Sequence, residues 1–398
     1  PPVFSGSRYR RVLSWTAVIR TRTSVAEQPA GEGRARRVTL GTLANLLSQI
    51  LNTGSQLVVV PVLLAAWGKQ LYGEWLALSA AGASLAVLDL GMQNYVVNRL
   101  NRCHALGAPE EYARILHSGL LFSLTVSNLA AFAVAVALWM APLDQWLHFS
   151  EISRNAAAWI ALLLTVQVLY AMPQGLLLGI YRSIQEYPRS QMINNARFVM
   201  TLGGILAAVS LGGGPLSVAA VQLVALLLTC LFVTWDLRRR HPEIPLGFRQ
   251  GEFKLALSFL VPSSSFLGIQ LVLVGVLHGS TLLVNGLFGA TLLVTFSTAR
   301  TLSNLIKQVG ATIQNAVWPE FTALEAQQRL LELRRIHLLV SKLVTFSAAC
   351  SAVYLMVYGD LVLGFWTRGL VTYDPSLMAA FMVLALSQSV WLTSSVLL

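Results

Sequence analysis

The residues with most chemical promise are polar side chains set inside long apolar runs. Asn45, Gln49, Asn52 and Gln56 recur at spacings of four, three and four within LANLLSQILNTGSQLVVVPVLL, residues 43–64. At 100° per residue they share an arc of about 60° on one helix face. An amide left unpaired in hydrocarbon costs several kcal/mol, so this stripe must face protein or a water-filled cavity. For any one amide a hydrogen bond that glues two helices is explanation enough. Four in register point to a wet interior surface.

Charges follow the same logic, because a charge near the bilayer centre costs at least about 2.5 kcal/mol and asks for a partner or a cavity. Asp89, in LAVLDLGMQNYVVNRL, is either a proton or cation site or a structural acid. In the first role it couples the chain to a proton or sodium gradient; in the second it pairs with Arg99 or caps a kink at Gly91. Arg197 shares a face with Asn194 and Thr201, and Arg300 shares an arc of about 80° with Ser297, Asn304 and Lys307. Snorkelling to the interface is the alternative for both arginines. Amides, arginines and a lysine gathered between two halves would make a cationic, hydrogen-bonding chamber. Such a chamber suits an anionic, hydroxyl-rich solute such as a glycan on a pyrophosphate, since guanidinium grips phosphate with two bonds and amides pair with sugar hydroxyls. Pro61, and Pro262 with the three serines that follow it, interrupt helical ladders and are the expected hinges, a static kink being the alternative.

Catalysis finds no footing. The six histidines are scattered, the three cysteines lie far apart, and there is no HExxH, GxSxG, phosphate-binding loop or acid cluster. The expectation is a transporter rather than an enzyme, with no metal and no cofactor. Composition agrees: 55% of residues are hydrophobic, 11% are charged, and mean hydropathy is +0.64. A soluble domain carries about a quarter charged residues. The net charge of +11 is spread along the chain, not gathered into a basic domain with interleaved aromatics, so no nucleic-acid partner is expected.

These side chains are positioned by ten apolar segments, near 39–67, 72–98, 115–141, 156–181, 191–212, 215–237, 253–278, 281–306, 337–366 and 376–398. The class is therefore all-α, a polytopic membrane protein. Of the 28 lysines and arginines, 22 fall within 1–37, 99–114, 182–189, 238–254 and 307–335, the alternate connections. By the positive-inside rule those connections and the amino terminus are cytoplasmic. The far-side loops are short, which disfavours a membrane glycosyltransferase or polymerase. Residues 1–37, with eight arginines and two glutamates, read as a disordered cytoplasmic arm. Residues 38–240 form an N-terminal six-helix bundle, 241–254 a cytoplasmic linker, and 255–398 a C-terminal bundle, the two enclosing a central cavity. Within the connection 307–336, WPEFTALEAQQRLLEL, residues 318–333, is either an amphipathic surface helix or part of a soluble hairpin.

The run Val58 to Arg102, with its Tyr72-Gly73-Glu74 step and Leu88-Asp89-Leu90-Gly91 motif, resembles the start of the oligosaccharide flippases. These are also called polysaccharide biosynthesis or O-antigen translocase proteins. Ala299 to Gln308 and Trp318-Pro319-Glu320-Phe321 are similar to the same family's eighth helix and following loop. The resemblance implies membership of the multidrug/oligosaccharidyl-lipid/polysaccharide exporter (MOP) superfamily, with two bundles around a cavity that opens alternately to each side. It implies transfer of a polyprenyl-pyrophosphate-linked oligosaccharide across a bacterial inner membrane, beside glycosyltransferases and a polysaccharide polymerase of one pathway, with membrane lipid all round. The family has more spans than the ten here, so the second bundle is expected to be cut after its fourth helix. The alternatives are a multidrug or cation antiporter, or a lipid II flippase, of the same superfamily.

Overall fold

The computed structural model of the protein describes residues 32–140 and 149–395, and the described residues contain helices and turns but no strand. In chain order the elements are α1 (Glu32–Ser84), a 3₁₀ turn (Leu85–Asp89), α2 (Met92–Ala105), α3 (Pro109–Met140), α4 (Arg154–Ser183), α5 (Tyr187–Ser210) and α6 (Pro215–Arg240). There follow α7 (Phe253–Ser258), α8 (Leu260–Val274), a π turn (Gly275–Gly279), α9 (Ser280–Ala326), α10 (Leu330–Trp366) and α11 (Pro375–Ser395). Most of the expected arm, and most of the connection after the third span, lie outside the described residues. The helix α1 nonetheless starts at Glu32, inside the stretch read as an arm.

At 53 residues α1 would be about 80 Å long if straight, against a hydrocarbon core of about 30 Å. It fits because it turns at Gly68, whose φ of 73° and ψ of 177° lie where only glycine goes freely. The contacts show the reversal. Near one end of α1, Asn45 bonds Tyr187 at the start of α5; beside the turn, Trp67 donates to the Gly213 carbonyl beyond the other end of α5. The chain then returns, and Arg99 of α2 pairs with Glu111 at the start of α3. Similarly, α9 turns at Gly289 (φ 81°, ψ 172°). Among the described residues seven helices are long and apolar enough to span, and the turns at Gly68 and Gly289 make two of them double; α11, a shorter apolar helix, stands at the place of the tenth expected span. The boundary between the seventh and eighth moves to Gly289, because the polar His278-Gly279-Ser280 step, which looks like a loop, is held in the π turn and the start of α9.

This folding gathers Arg99, Arg102, Arg182, Arg189 and Arg238 to Arg240 at one end of the helices, hereafter the arginine-rich end. There Asp236, 2% exposed, accepts from Arg189 Nε and Nη2 at 2.8 and 2.6 Å and from Tyr181 at 2.6 Å, tying α4, α5 and α6 together. On the neighbouring face α2 lies hard against α4: Gly175 and Gly179, four residues apart, receive Gln93 and Val97, also four apart.

The connection 241–252 is fastened to α3. His117 Nδ1 accepts from the Gln250 amide at 3.2 Å, so Nε2 carries the proton and donates to the Pro245 carbonyl at 2.7 Å. One apolar core runs from Val96, Leu116 and Ile180 through Val233 to Ala256 and Phe259, so packing is continuous across the expected linker. The break comes at Phe259, where Pro262 has no N–H for the Ser258 carbonyl and α7 ends. Beyond Gly289, α9 continues to Ala326, and Phe321 and Leu324 pack on Leu333, Val340 and Val344. Residues 318–326 thus continue α9 and form a helical hairpin with α10.

Candidate functional site

Along the seam between α1 and α9 the two helices run antiparallel in fixed register. Gln49 accepts from Thr312 Oγ1 at 2.7 Å, and Thr53, four residues on, meets Gln308, four residues back. Seventeen residues further along α1, Gln70 accepts from Thr291 at 2.9 Å. Between these polar clasps lies an apolar core that includes Val60, Leu64, Val294, Leu302 and Ile306. At Gly73 the backbones come close enough that a Cβ would stand 2.2 Å from the Ala290 carbonyl oxygen.

The amide stripe therefore divides among neighbours. Asn45 turns to α5, accepting from Tyr187 at 2.9 Å and Gln191 at 2.5 Å, while Gln49 crosses to α9. Asn52, exposed, bonds with Gln56 at 3.4 Å. For Asn45 and Gln49 the interhelical glue is realised.

Arg300 holds the π turn to α9. Its Nη1 donates to the Leu277 carbonyl at 2.8 Å and Ser280 at 3.2 Å, its Nη2 to Thr281 at 2.9 Å, and it lies 5.2 Å over the Phe296 ring. Asn304 and Lys307 continue its face, half-buried, and Lys307 and His278 both feel its charge. Among the described residues neither Arg300 nor Lys307 is in an ion pair with an acid.

Arg197 stands apart from both. It donates to Asn194 at 3.3 Å, its buried Nε has no partner among the described residues, and Cys230 of α6 is the neighbour that feels its charge. Asn195, about 200° away on α5, is the residue that faces α1, donating to the Ala44 carbonyl and accepting from Ser48. The structure thus brings Arg300, Asn304 and Lys307 together on α9 next to the α1 clasp, and turns Arg197 away from α1 toward α6.

The two prolines behave differently from each other. Pro61 lies within α1 with no departure from helical backbone, and the carbonyl it leaves unbonded, that of Leu57, accepts the Trp366 indole N–H at 2.8 Å. Pro61 is a docking point for the end of α10, while Pro262 coincides with a helix break. Pro173 repeats the device: its freed carbonyl, Leu169, accepts from Ser127 at 2.8 Å.

One polar centre enters the sequence reading only as part of the Tyr72-Gly73-Glu74 step, with no role attached. Glu74 is fully buried and accepts backbone N–H bonds from Ser150 at 2.7 Å, Glu151 at 3.1 Å and Ile152 at 2.8 Å. The Gln70 amide donates to it at 3.0 Å, which leaves the Gln70 oxygen for Thr291. The Gln70–Glu74 spacing of four was the available signal.

Several solved structures share this arrangement of helices. An inward-facing multidrug resistance MATE family transporter of the MOP superfamily superposes with a TM-score of 0.57 at 16% identity, covering 89% of this chain and 78% of that one. The MATE multidrug transporter DinF-BH gives 0.59 at 14% identity, over 90% and 84%. A MOP superfamily transporter from Pyrococcus furiosus, described as having a binding pocket of reverse polarity, gives 0.50 at 16%, over 91% and 81%. The chain shares the polytopic helical membrane fold of these structures. No curated protein matches the chain in sequence. The profile of the family described as polysaccharide biosynthesis protein matches residues 88–366, and the chain belongs to that family.

Proposed function

We propose that the protein is a flippase that moves a polyprenyl-pyrophosphate-linked oligosaccharide across the bacterial inner membrane by alternating access, for surface polysaccharide export. The observation that carries this reading is the half-buried stripe Arg300–Asn304–Lys307, one cation within the eighth span and one at its cytoplasmic edge, with no acid paired to either among the described residues. Uncompensated charge at that depth is costly, so the stripe favours a ligand that brings negative charge, and a pyrophosphate brings it in a form that guanidinium binds with two bonds. A drug cation would need the opposite sign. Asn304, with Gln49 and Gln308 on the adjoining seam, supplies amides for sugar hydroxyls once the clasp to α1 opens. Orientation follows from the arginine-rich end, which the positive-inside rule assigns to the cytoplasm. The glycosyltransferases and polymerase of the same pathway are the partners on either side of this step.

The test is Arg300→Ala, alone and with Lys307→Ala, in cells that depend on this chain for surface glycan. At equal membrane expression, glycan output should fall at least tenfold. Output unchanged in the double variant would remove the stripe from the mechanism.

A further inference from the structure

Three acids within the fold meet donors. Glu74 takes backbone amides, Asp236 takes Arg189 and Tyr181, and Asp89, just before α2, accepts from the Gln93 backbone N–H at 3.4 Å while Arg99 is taken by Glu111. One buried side chain at the arginine-rich end is set the other way, with an acid on each side of it. His241 follows the last residue of α6 and is 3% exposed. Its Nδ1 lies 3.1 Å from Glu243 Oε1, on the connection to α7, and its Nε2 lies 3.4 Å from Glu186 Oε2, on the turn between α4 and α5.

A neutral imidazole has one N–H and one lone pair, so it can donate to only one of these carboxylates. The hydrogen bond is to Glu243, and the buried Nε2 has no hydrogen-bond partner among the described residues. In the neutral ring that lone pair faces the Glu186 carboxylate, acceptor against acceptor, and burial makes such a mismatch costly. The other tautomer only moves the conflict to Glu243. An imidazolium donates from both nitrogens, and both contacts become charge-assisted. The remaining charges on the surrounding elements are engaged elsewhere or stand in solvent. Arg189 of α5 and Arg240 of α6 share Asp236 with Tyr181 of α4, Arg182 lies over the Tyr187 ring and Arg239 over Trp235, and Arg238 is exposed. On α3, His117 is held by Pro245 and Gln250, and Arg114 pairs with Glu252.

We propose that His241 is a proton-operated clamp: as an imidazolium held between Glu186 and Glu243 it pins the first turn of the connection between the bundles to the α4–α5 turn, and without the proton it lets that turn loosen. The turn is well placed to feel this, because the Ile244 amide donates to the His241 carbonyl at 3.0 Å and the Ile244 side chain, 4% exposed, joins the core that holds Leu237 and Tyr181. The contact to Glu186 is attractive only while the proton is bound. The hold is therefore strongest in acid and weakens as pH rises through the range of about 5 to 8 in which histidine changes charge. Because the connection leads from the first bundle into the second, their coupling becomes sensitive to pH at the arginine-rich end. The clamp is separate from the Arg300 stripe and needs no glycolipid to be measured.

The experiment compares the purified chain with His241→Gln and Glu186→Gln in lipid nanodiscs, by hydrogen exchange between about pH 6 and pH 8. Rates are corrected for the intrinsic pH dependence of amide exchange, and the Ile244 amide is read against that of Leu211, which bonds the Ala207 carbonyl at the other end of α5. In the parent chain protection of Ile244 should fall about tenfold from the acid to the alkaline end, the scale of one charge-assisted bond to a partly exposed carboxylate. In His241→Gln, which cannot take up a proton, protection should stay level. Glu186→Gln separates the clamp from a merely structural contact: its side-chain amide can donate to the Nε2 lone pair of the neutral ring, so protection should be level and stay high at the alkaline end. Level protection in the parent chain, or a fall that survives in either variant, overturns the proposal. If His241→Gln does not fold, Glu186→Gln decides alone. Loss of glycan export in Arg300→Ala bears on the flippase reading only, since that variant leaves His241 and its two acids in place.

Discussion

Replacing Glu74 with alanine should unfasten the segment Ser150 to Ile152, and the size of the effect follows from the bonds. Three backbone amides converge on one buried carboxylate at 2.7, 3.1 and 2.8 Å. Hydrogen bonds to a charged group contribute about 1.5–3 kcal/mol each, but the freed amides of Ser150 and Glu151 lie on exposed residues where water replaces part of the loss. A net change of about 3 kcal/mol in the local opening free energy is reasonable, and at 1.4 kcal/mol per decade that is roughly a hundredfold. Hydrogen exchange resolved to residues 149–153 reads it directly: exchange of these three amides should accelerate about a hundredfold in Glu74→Ala. Glu74→Gln, which keeps one carbonyl oxygen, should give about tenfold. Exchange within threefold of the parent in Glu74→Ala would refute the reasoning, because it would mean the carboxylate does not hold the segment.

Two further outcomes follow from the seam. Trp366→Phe leaves the Leu57 carbonyl unpaired and should cost about 1–2 kcal/mol of stability; in a Pro61→Ala background the new N–H takes that carbonyl, so the same change should cost less than half as much. Equal costs in the two backgrounds, measured by thermal unfolding in one detergent, would show that the indole does not stand in for the missing helical bond. The α1–α9 register is checked by cysteine pairs: Gln49→Cys with Thr312→Cys should cross-link rapidly under mild oxidant, and Gln49→Cys with Asn304→Cys, about two turns out of register, should not. Comparable yields from both pairs would rule the register out.

Much of the architecture is legible in the residues themselves, because a bilayer enforces long apolar helices and sorts charge between its faces. That logic finds the ten spans, and it places the arginines on alternate connections that the structure collects at one end. It does not find the turns. A reversal at Gly68 or Gly289 needs no polar loop, so hydropathy runs straight through it, whereas the polar His278-Gly279-Ser280 step imitates a loop while staying helical. The amide stripe shows a different limit. Periodicity tells which residues share a face, but α1 sits at a corner between α5 and α9, so Asn45 and Gln49 share a face and serve different helices. Likewise a proline announces that the carbonyl four residues earlier is free, and says nothing about the indole from a span 300 residues away that takes it. Glu74 stands in a recognisable motif, but its role is not legible there because its partners are backbone amides, which any sequence possesses.

One clasp has a geometric meaning of its own. Gln70 stands two residues past Gly68, Thr291 stands two residues past Gly289, and the pair bond to each other. Each turn is thus latched to the other within a few residues of its own glycine. A rearrangement that swings the first pair of spans away from the seventh and eighth has to break the Gln70–Thr291 bond, so the two reversals separate together or stay closed together.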